Sequence, residues 1–178
     1  ISDGTIIAYV TERILEDQQI PLDAVSFISV PKLDARLALL TSGNAEAAVL
    51  PEPMATLAEA QGAVRVVDDA DFGEYSFSAY TFRRDFAEKH PESLRAFLSA
   101  LEKAVERINQ DPQQYNALMI EKKMMPEALQ GKFQVPQFAL AGVPSEAQFA
   151  DSLAWAQQKG YLIQTPAYED CVSGAYLP

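Results

Sequence analysis

Strand-patterned and helix-patterned segments alternate through about the first 70 residues of this chain, and that alternation restricts the fold more than any other feature of the sequence. From Thr5 to about Gln18, Ile6, Val10 and Ile14 recur at four-residue spacing with Ile7 and Leu15 beside them, which gives a helix one apolar face. AVSFISVP (24–31) follows, with Val25 and Phe27 on one side of an extended chain and Ile28 and Val30 on the other. Apolar residues on both faces predict a largely buried strand. KLDARLALLTSGN (32–44) carries Leu33, Leu37 and Leu40 at helical spacing and stops at Ser-Gly-Asn. AEAAVLP (45–51) reads as the next strand. EPMATLAEAQG (52–62) reads as a helix with Pro53 near its start, where a missing N–H costs nothing. AVRVVDD (63–69) and YSFSAYTFRR (75–84) read as two further strands. Elements in this order predict an α/β fold, a mostly parallel sheet covered on both faces.

After Arg84 the texture changes. HPESLRAFLSALEKAVERINQ (90–110) repeats Leu94, Phe97, Leu98, Leu101, Val105 and Ile108 at helical spacing, and Asp111-Pro112 breaks it and opens a second helix to about Lys123. The proline- and glycine-rich stretch from Met125 to Glu146 predicts irregular chain, and Pro144-Ser145-Glu146 opens a last long helix that ends at Gly160. The expected organisation is therefore an α/β lobe over 1–83 and a helical segment over 84–178. Amphipathic helices without a sheet of their own leave an apolar face uncovered, so further sequence or a second chain is expected to cover it. The first residue is Ile1 rather than Met, and Ile1-Ser2-Asp3-Gly4 reads as a strand end entering a turn, so the chain is expected to derive from a larger protein.

Composition removes several function classes. Fourteen basic against twenty-five acidic residues give a net charge of −11, which repels nucleic acid and anionic lipid. The single cysteine, Cys171, rules out an internal disulfide framework and a Cys-rich metal site, and the single histidine, His90, precedes a proline at a helix start, which suits a solvated residue. No Ser-His-Asp set, histidine pair, GxGxxG or Walker pattern is present, so no cofactor, metal or catalytic residue is expected.

Two strand-to-helix junctions remain, at the ends of strands where open α/β sheets hold ligands. In the first, Ser2 and Thr5 offer hydroxyls and Gly4 allows close approach to the backbone, while Asp3 can cap the helix that follows. In the second, AVLPEP (48–53), Glu52 stands between two prolines at a helix start, where it serves the helix dipole or a ligand equally well. If a cleft takes in both junctions, the carboxylates of Asp3 and Glu52 disfavour a plain dianion and favour a ligand with an amine or other hydrogen-bond donors, unless an arginine from an absent lobe compensates.

ISDGTIIAYVTERIL, then RLALLTSGNAEAAVLPEPMATLAEAQGAVRVVDD, then FRRDFAEKHPESLRAFLSALEKAVERINQDP, resembles the second half of a substrate-binding protein of ABC transporters. The group it is most similar to comprises the nitrate, sulfonate, taurine and thiamine-precursor binders among the type 2 periplasmic binding proteins. The small-polar turn opening a helix, the Arg-Leu helix ending in Ser-Gly, and the AAVLPEP strand with its Glu-Pro carry the likeness, which runs through nearly all of the chain in order. The resemblance implies two lobes that close on a small polar solute without chemical change and deliver it to a membrane permease. It implies that 1–83 is lobe two and that 84–178 returns to a lobe one whose sheet is missing from this chain, which leaves room for a homo-oligomer or an exchange of elements. It also implies a periplasmic or extracellular protein, in full length a candidate for a lipid anchor, with no nucleic-acid partner. Carried over residue by residue, Ser2, Asp3, Gly4 and Thr5 match the ligand loop and Glu52 with Pro53 matches the Glu-Pro junction, while Tyr75, Ser76 and Ser78 lie on the segment leading to the crossing between lobes. Two rival readings are an enzyme on the same fold, of the menaquinone-pathway or thiamine-pyrimidine type, and the effector-binding domain of a transcription regulator.

Overall fold

The structure, a computed structural model, describes residues 1–72 and 75–178. Its α-helices are α1 (Ile6–Asp17), α2 (Leu33–Thr41), α3 (Met54–Ala60), α4 (Arg84–Lys89), α5 (Pro91–Gln110), α6 (Asn116–Glu121), α7 (Glu146–Gln158) and α8 (Tyr168–Cys171), and short 3-10 turns punctuate them. The amphipathic pattern placed most of these helices to within a residue or two, because the pattern of buried side chains follows the helical period wherever one face meets a core. α4 was not anticipated, and the helix expected from Asp111 to Lys123 is a 3-10 turn, Pro112–Tyr115, followed by the six residues of α6.

The expected α/β fold, with a mostly parallel sheet as one lobe and a helical part of an incomplete second lobe, is not what the chain forms. No β-strand occurs among the described residues. The segments read as strands, 24–31, 45–51, 63–69 and 75–84, lie mostly outside regular secondary structure, and none of them gains a ladder of hydrogen bonds. Extended backbone becomes a sheet only when a neighbour accepts and donates along it, and apolar patterning says nothing about whether that neighbour is there. Among the described residues one parallel-type pairing occurs, in which Ile1 N donates to the Ile28 carbonyl at 3.0 Å and Val30 N donates to the Ile1 carbonyl at 2.9 Å. The contrast is sharpest at AVRVVDD, where Val64 and Val66 are 83% and 92% exposed instead of lying inside a sheet.

Two compact units divide the chain, Ile1–Phe77 with Ala150–Gln164, and Ser78–Phe149 with Thr165–Pro178. In the first, Ala8, Tyr9 and Val10 of α1 bury themselves against Trp155 of α7, with Ile1, Ile14, Tyr75 and Ala156 packed around them. The Tyr9 ring meets Trp155 edge-on at 5.5 Å and Tyr75 at 6.2 Å, and Trp155 meets Tyr161 at 5.6 Å. Polar groups lock the same two helices together. The buried Glu12 carboxylate accepts from Trp155 Nε1 at 2.9 Å and from Lys159 Nζ at 2.8 Å. Asp151 accepts from the Tyr9 hydroxyl at 2.6 Å and from Arg13 through Nε and a terminal nitrogen, each at 2.9 Å.

In the second unit, Leu94, Met125, Leu129 and Phe133 are buried, Leu129 completely. α5 has the apolar stripe its sequence predicts, yet Leu94 alone of that stripe is buried and Phe97 is exposed, in edge contact with Tyr80 and Phe82. No helix among the described residues is long and apolar enough to cross a membrane.

Candidate functional site

The first unit holds the turn of residues 2–5 at the start of α1. Gly4 has φ of 65°, the left-handed conformation that glycine enters without penalty, and this lets the chain reverse into the helix. The Thr5 hydroxyl donates back to the Ser2 carbonyl at 2.7 Å and closes the turn. Thr5 occupies the N-cap position with extended backbone, and its side chain does not bond to the N–H groups of the first turn. Asp3, expected as an alternative cap, is exposed and instead donates its backbone N–H to Ser29 Oγ at 3.4 Å. The first N–H groups of a twelve-residue helix are thus uncapped, and the end of the helix carries the positive half of its dipole.

Two residues that sequence reading passed over complete this place. The ring of Tyr161 covers Gly4, lying 3.6 Å from where a Cβ would stand. The guanidinium of Arg36, on α2, lies behind the turn and is 3% exposed. It donates to Ser2 Oγ at 2.5 Å, to the Val30 carbonyl at 2.9 and 3.2 Å, and to the Val49 carbonyl at 2.5 Å. Arg36 therefore ties the turn to the ends of two extended segments, AVSFISVP and AAVLP. Desolvation pushes its pKa down from the ordinary arginine value. A signal for Arg36 was present, since it lies on the helical face of Leu33, Leu37 and Leu40, where a cation is out of place. No local pattern marks Tyr161, which reaches Gly4 from the far end of the chain.

The second junction is built differently. The Glu52–Pro53 peptide is cis, and Met54 N donates to the Pro51 carbonyl at 2.9 Å. Both oxygens of Glu52 have partners within the chain. Oε2 accepts from Thr56 N at 3.1 Å and from its hydroxyl at 2.8 Å, which caps α3 from outside, because the N-cap Pro53 has no side-chain acceptor. Oε1 accepts from Arg65 at 2.6 Å. Arg65 also engages Glu59 and Asp68, so one guanidinium gathers three carboxylates around the start of AVRVVDD. Its pKa is raised, with the Glu59 bond as the largest cause, and the Glu59 carboxyl is held below the usual range by the same bond. Asp68 is also held low, first by the backbone N–H of Ala70 and then by Arg65.

Of the remaining candidates, Tyr75 lies in the first unit with its ring against Tyr9, and its hydroxyl donates to Asp17 at 3.2 Å. Ser76 is exposed. Ser78 is exposed too and belongs to the second unit. His90 is an exposed neighbour of Phe86 and Cys171 is an exposed thiol. No metal-ligating cluster occurs among the described residues. An open surface hollow of about 610 Å³ in the second unit, walled by Phe82, Phe86, Lys89 and His90, contains none of the residues assigned to the ligand loop.

What this arrangement can do is present backbone and hydroxyl hydrogen-bonding groups at a turn beside an aromatic wall. No curated protein and no solved structure matches the chain closely enough to count as a relative. A family model does match, over residues 2–121. That stretch begins at the Ser2–Thr5 turn, takes in Arg36, Glu52 and Arg65, and is well over half of the chain, which therefore belongs to the NMT1-like family of the periplasmic-binding-protein type 2 superfamily, a family made up mainly of solute-binding domains.

Proposed function

We propose that this chain is part of the solute-binding component of an ABC uptake transporter and that it holds a small polar molecule without changing it. The observation that carries the reading is the uncapped start of α1, where the Ser2–Thr5 turn leaves backbone N–H groups unspent beside the ring of Tyr161. Family membership supports binding over catalysis. On this reading Ser2, Gly4 and Thr5 contact the solute and Asp3 stands at the rim. Glu52 and Pro53 act by shaping the neighbouring junction, since both Glu52 oxygens are already engaged. Tyr75 and Ser76 are peripheral contacts, and Ser78 is a contact assigned by resemblance alone. The partner is a membrane permease, and the place of work is the periplasm or the cell surface. Dissociation then requires only that the solute's contacts be exchanged for water, because no covalent intermediate exists.

Native mass spectrometry of the gently purified chain, followed by small-molecule identification of what it releases, tests the reading. A solute bound one to one and recovered chemically unchanged supports it. Conversion of that solute on incubation with the chain would replace it with an enzymatic function.

A further inference from the structure

Asp3-Gly4 is the sole Asp-Gly step in the sequence, and no Asn-Gly step occurs. At such a step the backbone nitrogen after the aspartate can attack that residue's own side-chain carboxyl carbon and close a five-membered imide. A side chain on the following residue crowds the attack, and glycine has none. Folding occupies several other aspartates: Asp17, Asp85 and Asp151 accept hydrogen bonds from side chains, and Asp68 accepts one from Ala70 N. Asp3 is exposed, and its carboxylate has no hydrogen bond or salt bridge among the described residues. The N–H of Gly4, also exposed, donates to no partner among them either. Asp23 is just as exposed and shows the difference, because Ala24 carries a Cβ and its N–H is spent on the Pro21 carbonyl at 3.0 Å.

We propose that Asp3-Gly4 is a site of spontaneous isoaspartate formation in the folded chain. The Gly4 nitrogen bonds to the Asp3 carboxyl carbon, and the carboxyl OH departs with the amide proton as water, so nothing is oxidised or reduced. Water then adds to one of the two imide carbonyls. Opening on one side restores aspartate. Opening on the other sends the main chain through the Asp3 side-chain carbons, one methylene longer, and leaves the former backbone carbonyl as a free carboxylate. That methylene falls inside a closed turn. Ser2 is held on one side by Arg36, and the Thr5 hydroxyl reaches back to the Ser2 carbonyl at 2.7 Å across the two reacting residues. The lengthened chain opens the Thr5 bond and resets the approach to α1. None of this depends on whether the turn holds a solute.

The test incubates the whole chain at neutral pH, once in native buffer and once unfolded in urea. Peptide mapping with electron-transfer fragmentation then measures isoaspartate at each aspartate over time. If the folded turn leaves the attack open, the native rate at Asp3 lies within about tenfold of the unfolded rate, an opening cost of no more than about 1.4 kcal/mol. A reaction that waits for global unfolding would be slower by roughly a thousandfold or more. Asp3→Asn closes the same imide with ammonia as the leaving group and should accumulate isoaspartate faster. Asp3→Glu keeps the charge but requires a larger ring, and its position should stay unmodified. A native rate more than about tenfold below the unfolded one overturns the inference. So does isoaspartate at Asp23 equal to that at Asp3, or an Asp3→Asn chain that accumulates none.

Discussion

Trp155→Phe is the sharpest perturbation of the first unit, because one side chain there provides both the aromatic centre of the core and the partner of a buried carboxylate. Phenylalanine retains a ring between Tyr9 and Tyr161 but removes roughly 40 Å² of apolar surface, worth about 1 kcal/mol. It also deletes the 2.9 Å bond from Nε1 to Glu12, whose carboxylate belongs to a residue only 7% exposed. An acceptor left buried without its donor costs about 1–3 kcal/mol, and Lys159, which remains on the other oxygen at 2.8 Å, keeps the value toward the lower end. The sum is a loss of about 2–4 kcal/mol. Trp155 is the only tryptophan, so the substitution removes the fluorescence probe. Urea unfolding must therefore be followed by far-UV circular dichroism, with hydrogen exchange of α1 to localise the effect. In a Glu12→Ala background the same substitution should cost only the packing part, giving a coupling of about 1–2 kcal/mol between the two positions. A coupling near zero, or a loss below about 0.5 kcal/mol in the single variant, would refute the account of Glu12 and Trp155 as a working pair.

Burial, and then the bond to Asp151, raises the pKa of Tyr9 above the ordinary tyrosine value of 10.0, and burial together with Asp17 raises that of Tyr75. A raised folded-state value means that stability from the neutral phenol is fully present below pH 10 and is lost as pH climbs through the higher value. Ultraviolet titration should therefore show late-ionising tyrosine, and Tyr9→Phe should remove part of it, whereas an unchanged titration curve would contradict the burial. Arg65→Met should raise the Asp68 pKa only part of the way to normal, because the Ala70 N–H still holds that carboxylate at 2.9 Å. Carboxyl-carbon NMR titration reads this directly, and full recovery of the ordinary value would show that the arginine alone had been responsible.

The unequal legibility of the two junctions has a physical origin. Gly4, Ser2 and Thr5 announce a turn because left-handed backbone and short hydroxyl side chains act within a few residues of themselves. Glu52 announces only that a carboxylate stands at a helix start. Its engagement by Arg65, thirteen residues later, depends on how the chain folds back between them. Reading Asp3 and Glu52 as a joint acidic pair therefore left out that Arg65 already engages one of the two carboxylates.

Helices α1, α2, α3, α5 and α7 were determined by the sequence itself, since a helix satisfies its own backbone and needs from its surroundings only a place for its apolar face. Whether AVSFISVP, AAVLP and AVRVV become strands was never theirs to determine, because an extended segment owes its hydrogen bonds to a neighbour. Tertiary structure decided that, and it also decided that Arg36 lies buried behind Ser2 and that Tyr161 covers Gly4. Each of these contacts joins residues far apart along the chain, where no periodicity in the sequence can record them.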